Sequence, residues 1–349
     1  MIDTKKERNY NLDIMKFILS IFVVLIHAEV DLVVLTPFLR IAVPLFFITS
    51  SYFFFRKFNS SNDRKTLTLN FLKRNMILYG IWFVILLPVT LPGRDWFDNG
   101  IMPGIIKFLQ SFFFNGTFRA SWYLMALNIG MCLSMLIARK LTAMLQLILT
   151  LPIYLLCCLF TNYYGAAELS GDLMVGYNAY IFVFRSLANS FPVSLFWIAC
   201  GRLFAEKKVK SPKHQRILLL FSSVLLIAEH LIVNRLGLQN GNDCYIMLIP
   251  VCFVVFDWIL CIKPLKIKSH SVLIRTMITR SGNISTLLYV SHASIINVLL
   301  FVAKKIMKID FYGMEWCVFL ITMIACLSLC GIVFALEQKK PFRWLKYSY

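Results

Sequence analysis

Acidic residues are scarce in this 349-residue sequence: 17 Asp and Glu stand against 36 Lys and Arg, and residues of either charge make up only 15% of the chain. A water-soluble domain carries about 25% charged residues, so water is not the main solvent of this chain. Among the ten cysteines there is no CxxC pair and no Cys/His ligand spacing, which argues against a zinc site and against a disulfide framework. They fall within or at the ends of apolar segments and read as small lipid- or helix-facing hydrophobes. Walker A, GxGxxG and HExxH motifs are all missing, so soluble-type nucleotide and metal machinery is not expected. The net charge of +19 is not gathered on an amphipathic face interleaved with aromatics, which argues against a nucleic-acid partner.

What the sequence has is hydrocarbon. Hydrophobic residues are 59% of the chain and the mean hydropathy is +0.73. Runs such as "ILSIFVVLIHAEVDLVVL" and "LLLFSSVLLIAEHLIV" are too long for strands or for the apolar stripe of a surface helix. The pattern predicts an all-α integral membrane protein, a bundle of about ten transmembrane helices near residues 12–34, 39–55, 74–91, 119–138, 143–160, 179–204, 216–236, 243–262, 284–303 and 315–336. Pro88 falls near the end of the third and Pro192 interrupts the sixth. Lys and Arg number 26 on the side of the N-terminus and 8 on the other, which predicts that both termini are cytoplasmic. The leader "MIDTKKERNYN" is followed by no small-residue cleavage site, so the first helix reads as retained. The segment 92–118 reads as a re-entrant or interfacial piece, or a lid. No soluble segment reaches 30 residues, so residues 1–349 read as a single transmembrane domain.

Ionisable side chains inside a bilayer cost several kcal/mol and mark function by default. On the first predicted helix, Asp13, Lys16, Ser20, His27 and Asp31 fall on one stripe about 60° wide. Asp31 stands at i+4 from His27, where it is expected to hold the imidazole as a general base requires. The alternative is a bundle-interior histidine bonded to a backbone carbonyl. Arg40 reads as a snorkelling anchor or an anion ligand, and Arg185 as a buried cation in want of an anionic partner. His230, beside Glu229, reads as structural; His292 lies in a late helix. Trp122 and Tyr123 suit an aromatic belt. Lys73 and Arg74 suit positive-inside bias or the phosphates of a nucleotide-bearing donor.

Five segments in order, "YNLDIMKFILSIFVVLIHA", "RIAVPLFFITSSYFF", "SWYLMAL", "FRSLANSFPVSLFWIACGRLF" and "LLYVSHASI", resemble motifs of the acyltransferase-3 family of bacterial membrane proteins. The resemblance implies a multi-pass protein of the bacterial cytoplasmic membrane. It implies transfer of an acyl group, usually acetyl, from acyl-CoA at the cytoplasmic face to a sugar hydroxyl of a glycan or lipid-linked precursor. His27 then becomes the catalytic base, with Asp31 holding it. Arg40, Arg185 and His292 become site residues, Asp13, Lys16, Lys73 and Arg74 lie on the donor side, and Trp122 and Tyr123 on the substrate side. Three positions depart from the family pattern: Lys16 stands for an arginine, Ile77 for a second arginine, and Ser51 for a glycine whose loss predicts a wider helix approach. A solute transporter using the same polar stripe and a non-catalytic scaffold in glycan synthesis are the competing classes.

Overall fold

The computed structural model describes residues 9–90, 96–98, 100–207, 214–265, 272–309 and 311–349. The basic leader and the lysines at 208–213 and 266–271 lie outside the described residues. Among those described, all regular structure is helical. The principal helices are Tyr10–His27 (α1), Ala42–Ser60 (α2), Arg64–Thr90 (α3), Ile101–Gln110 (α4), Trp122–Ala138 (α5), Ala143–Leu159 (α6), Gly171–Phe184 (α7), Phe191–Glu206 (α8), Gln215–Arg235 (α9), Leu248–Cys261 (α10), Val272–Val302 (α11) and Glu315–Leu336 (α12).

Six described stretches are long and apolar enough to cross a membrane: Tyr10–His27, Val33–Ser60, Arg64–Thr90, Gln215–Arg235, Arg275–Met307 and Glu315–Leu336. α5, α6 and α10 are apolar but shorter. The outer surface carries large exposed hydrophobics, such as Leu220, Phe221 and Val224 on α9 and Leu320, Ile324 and Ile332 on α12. Apolar side chains on this scale outside are what a lipid-facing surface requires. The chain is thus a multi-pass membrane protein. In the segment expected to be a re-entrant or interfacial piece, or a lid, the described residues include the ten-residue α4, which exposes Ile101, Met102, Ile105 and Ile106 and is too short to span, and a π-helical turn at Ser111–Asn115.

Two helix ends differ from the sequence expectation. The first helix stops at His27 instead of continuing to residue 34. Glu29 takes a left-handed φ of 60°, its amide donates to Ile26 O at 3.2 Å, and the Val30 amide donates to Leu25 O at 3.1 Å. That pair of bonds is a Schellman stop, with Leu25 and Val30 both buried beneath it. Asp31 therefore leaves the helical stripe; its Oδ1 accepts from the Val33 amide at 2.7 Å and the Thr36 hydroxyl at 2.8 Å. The sixth predicted helix is two helices. α7 ends at Phe184, Arg185 takes a left-handed φ of 64°, and α8 restarts at Phe191 with Pro192 in its first turn. Proline has no amide to donate and suits a helix start better than a helix middle.

α8 is the centre of the bundle. Twelve of its 16 residues are buried, and it packs on α2, α5 and α6. Arg202 near its end is buried and fully engaged: Nε donates to Glu206 at 2.8 Å, and the two terminal nitrogens donate to Gln146 Oε1 at 2.7 Å and Leu141 O at 3.0 Å. The close approach expected to be lost at Ser51 is kept from the other side. A Cβ on Gly201 of α8 would fall 1.9 Å from Ser51 Oγ and 2.4 Å from Ile48 O, so Gly201 supplies the space. Ser51 Oγ folds back onto its own helix, donating to Phe47 O at 2.8 Å. Gly201→Val is expected to destabilise the bundle by about 3 kcal/mol or more, because backbone must move. Ser51→Ala is expected to cost about 1 kcal/mol or less. Thermal denaturation of the detergent-extracted variants checks both.

Candidate functional site

The polar stripe of α1 lies along α11, and the two helices run parallel. A Cβ on Gly282 would fall 2.7 Å from Asp13 Oδ1 and 3.2 Å from Lys16 Nζ. Three residues on, the Ser285 hydroxyl donates to Lys16 O at 2.8 Å. At the other end of the seam His27 meets His292, with ring centroids 5.0 Å apart and planes inclined by 38°. Asp13 and Lys16 pair with each other at 2.8 Å.

His292 is wholly buried. Its Nδ1 lies 2.9 Å from Leu288 O; a carbonyl only accepts, so Nδ1 carries the proton and Nε2 presents a lone pair. That Nε2 has no hydrogen-bond partner. An unpaired polar atom in a closed interior costs about 1–3 kcal/mol and calls for an explanation. Tyr289 stands one turn back, its ring centroid 6.1 Å from that of His292, and Tyr123 packs edge-on to it at 5.4 Å. His27 is half-buried.

Two cavities approach this pair from opposite ends of the seam. The one toward the start of α1, here the inner one, about 450 Å³, is lined by three cations, Lys16, Lys57 and Arg74, and by Phe46, Tyr123 and Tyr289. The outer one, about 350 Å³, is lined by His27 itself with Glu29, Arg119, Lys304 and Glu315. A half-buried imidazole in the wall of one cavity, backed by a second, buried imidazole, is an arrangement that can deprotonate a hydroxyl entering that cavity.

The other expected site residues divide. Tyr123 lines the inner cavity, its hydroxyl 3.1 Å from Ser50 Oγ. Arg74 lines it too, whereas Lys73 is exposed and not part of its wall. Arg40 ion-pairs with Asp243 at 2.5 Å, and Trp122 borders a void of about 50 Å³ beside it. Asp31 does not reach the histidine ring as expected. It lines a separate outer cavity of about 460 Å³ with Arg40 and His230, because the helix ends before it. Arg185 is also drawn away: it donates to Lys107 O at 3.3 Å and to the Ser111 hydroxyl at 3.1 Å, tying the end of α7 to α4 and the turn after it. His230 sits between the Tyr245 hydroxyl at 2.8 Å and Asn234 at 3.0 Å, and Glu229 accepts the Ile246 and Met247 amides at 2.7 Å each, a structural cap on α10. The sequence reading missed Lys57 and Arg119, which looked like ordinary loop charges. The role of Tyr289 was signalled only by its spacing of three from His292.

A family model described as an acyltransferase domain matches residues 9–335. Two proteins of Enterococcus faecalis named amino-acid racemase are similar. One is 23% identical over 74% of this chain and 36% of its own length, the other 25% identical over 97% and 48%. A serine/alanine racemase of Enterococcus gallinarum is 23% identical over 92% of this chain and 46% of its own length. The chain thus spans less than half the length of the curated relatives it matches. No solved structure gives a significant match.

The Tyr289 hydroxyl donates to the buried Ala120 carbonyl at 2.7 Å. Tyr289→Phe leaves that carbonyl unpaired and is expected to cost about 1–3 kcal/mol, read as a lowered denaturation midpoint of the purified protein in detergent.

Proposed function

The chain belongs to the acyltransferase-3 family, and from that premise we propose that it is a membrane O-acyltransferase of the bacterial cytoplasmic membrane, moving an acyl group, acetyl by preference, from acyl-CoA to a sugar hydroxyl of a surface polysaccharide or lipid-linked precursor. The observation that carries the reading is the histidine pair standing between two cavities of different chemistry.

The inner cavity suits the donor. Lys16, Lys57 and Arg74 at its wall match the phosphates of coenzyme A, which clustered cations hold through charge-assisted bonds. The apolar throat past Phe46 and Leu127 suits the slender pantetheine arm. Bound acyl-CoA supplies an activated thioester. His27, opening on the outer cavity, takes the proton of the acceptor hydroxyl. Its ring is backed by His292 and not by a carboxylate. Asp13 acts on the donor side by holding Lys16 in place through their ion pair.

A second reading, passage of a small solute, draws on the same opposed cavities and on the relatives named for amino-acid racemisation. Dependence on an acyl-CoA pool separates the two.

Ester-linked acyl groups on the host's surface glycan, measured by NMR, provide the test. Deletion of the protein is expected to remove a signal that wild type restores and His27→Ala, present at equal level, does not. Unchanged acylation in all strains would sink the glycan assignment and put solute transport first. On the donor side, Arg74→Ala is expected to weaken CoA binding about tenfold, the loss of one charge-assisted contact. Lys73→Ala is expected to leave it within about twofold. Titration calorimetry on the purified protein measures both.

A further inference from the structure

Arg119 stands in the wall of the His27 cavity and has no part in the reaction described so far. The turn that carries it is unusually closed. Thr117, Phe118, Ala120 and Ser121 are all buried, while Arg119 between them is exposed. The Tyr79 hydroxyl meets the Thr117 amide at 3.2 Å and the Thr117 hydroxyl at 3.1 Å. Ser121 Oγ donates to Phe118 O at 2.6 Å, and Tyr289, one turn before His292, donates to Ala120 O. Ala120 takes a left-handed φ of 70°, a conformation that costs a residue with a Cβ about 1–2 kcal/mol. Strain held by several bonds at a site edge is a common sign of a side chain being aimed.

Arg119 stands with His27 in the wall of the same cavity. Among the described residues it has no ion-pair partner within 4 Å. The two carboxylates that share its cavity are Glu29, on the strained turn after His27, and Glu315, whose Oε1 accepts the Gly313 amide. A guanidinium has five donors and no acceptor. Carried by a held turn into the wall of a cavity it shares with a base, and without an ion-pair partner among the described residues, it suits a negative charge that exists only during the reaction.

We propose that Arg119 holds the oxyanion of the acyl-transfer step. The inference rests on the acyltransferase reading above. As the acceptor oxygen bonds to the thioester carbonyl carbon, its proton passes to His27 and the carbonyl π pair moves onto the carbonyl oxygen. The Arg119 N–H groups receive that oxygen. When the pair returns, the C–S bond breaks, and the thiolate leaves with the proton given back by His27.

The test compares two donor analogues on the full-length protein in detergent by titration calorimetry. S-carboxymethyl-CoA puts a negative oxygen at the acyl position; S-ethyl-CoA is neutral there. Wild type is expected to prefer the carboxymethyl analogue by at least about tenfold, the worth of one charge-assisted contact. Arg119→Met is expected to erase that preference while binding S-ethyl-CoA within about twofold of wild type, which also shows that the variant is folded. Arg119→Lys is expected to keep part of it, as a point charge without the planar fork. In host membrane vesicles supplied with labelled acetyl-CoA, Arg119→Met is expected to lower the maximal rate of glycan labelling about 10²–10³-fold with the KM for acetyl-CoA little changed. A preference that survives in Arg119→Met, or equal loss of both analogues, would overturn the assignment. So would a raised KM at an unchanged maximal rate. If wild type binds both analogues equally, the oxyanion assignment alone fails. If it binds neither, the acyl-CoA reading fails and takes the assignment with it.

Discussion

Everything at the centre of this bundle depends on one constraint: in a bilayer a polar side chain has to be met by another polar group of the protein. The seam between α1 and α11 is the answer to it. Asp13 is met by Lys16, the Lys16 carbonyl by Ser285, and the Ser20 hydroxyl by its own helix at Phe17 O. Gly282 lets the two helices close on the Asp13–Lys16 pair, and this contact sets their register. At the other end of the same seam His27 meets His292. On this seam His292 Nε2 is one of the buried polar atoms left without a partner.

Two of the five non-glycine residues with left-handed φ among the described residues flank the same site. Glu29 and Ala120 both have left-handed φ values despite carrying a Cβ. One ends the helix that delivers His27, and the other bends the turn that delivers Arg119. Both side chains line the outer cavity. Each turn is locked by hydrogen bonds that a more relaxed backbone would not make: the Glu29 and Val30 amides onto Ile26 and Leu25, and the Ala120 carbonyl onto Tyr289.

The apolar segments were legible in the sequence because length and continuity of hydrocarbon are local properties, whereas the meeting of His27 with His292 joins two distant helices. Asp31 was misread for a definable reason. "AEVDLVVL" is apolar enough to continue a helix, and the residue at the stop is Glu29 and not the glycine that usually announces one. Arg185 is followed by Ser186, Asn189 and Ser190, and Ser190 ahead of Pro192 is a local helix-start signal that the apolar residues on either side masked. The compensation of Ser51 by Gly201 joins residues 150 apart in sequence, so no local reading finds it. Arg119 was hidden most thoroughly. Its type and position are those of any loop cation, and its distinction lies in the direction the turn gives it.

The septum between the cavities bears on what the protein does. Phe46, Tyr123 and Tyr289 pack edge-to-face around one another at 5.4–6.1 Å. Their positions are pinned through Ser50 and Ala120, and His292 lies directly behind them without exposed surface. A solute crossing from one cavity to the other would have to displace these rings and the buried imidazole together, breaking hydrogen bonds that fix the outer turn as well. Acyl transfer asks much less of the same wall. Only the slender acyl end of the donor has to pass the rings to meet the hydroxyl beside His27 and Arg119 in the outer cavity. A closed wall also keeps water from the thioester, which would otherwise compete with the acceptor. The septum is therefore an obstacle under the transport reading and a functional part under the transferase reading, and this asymmetry favours the enzyme.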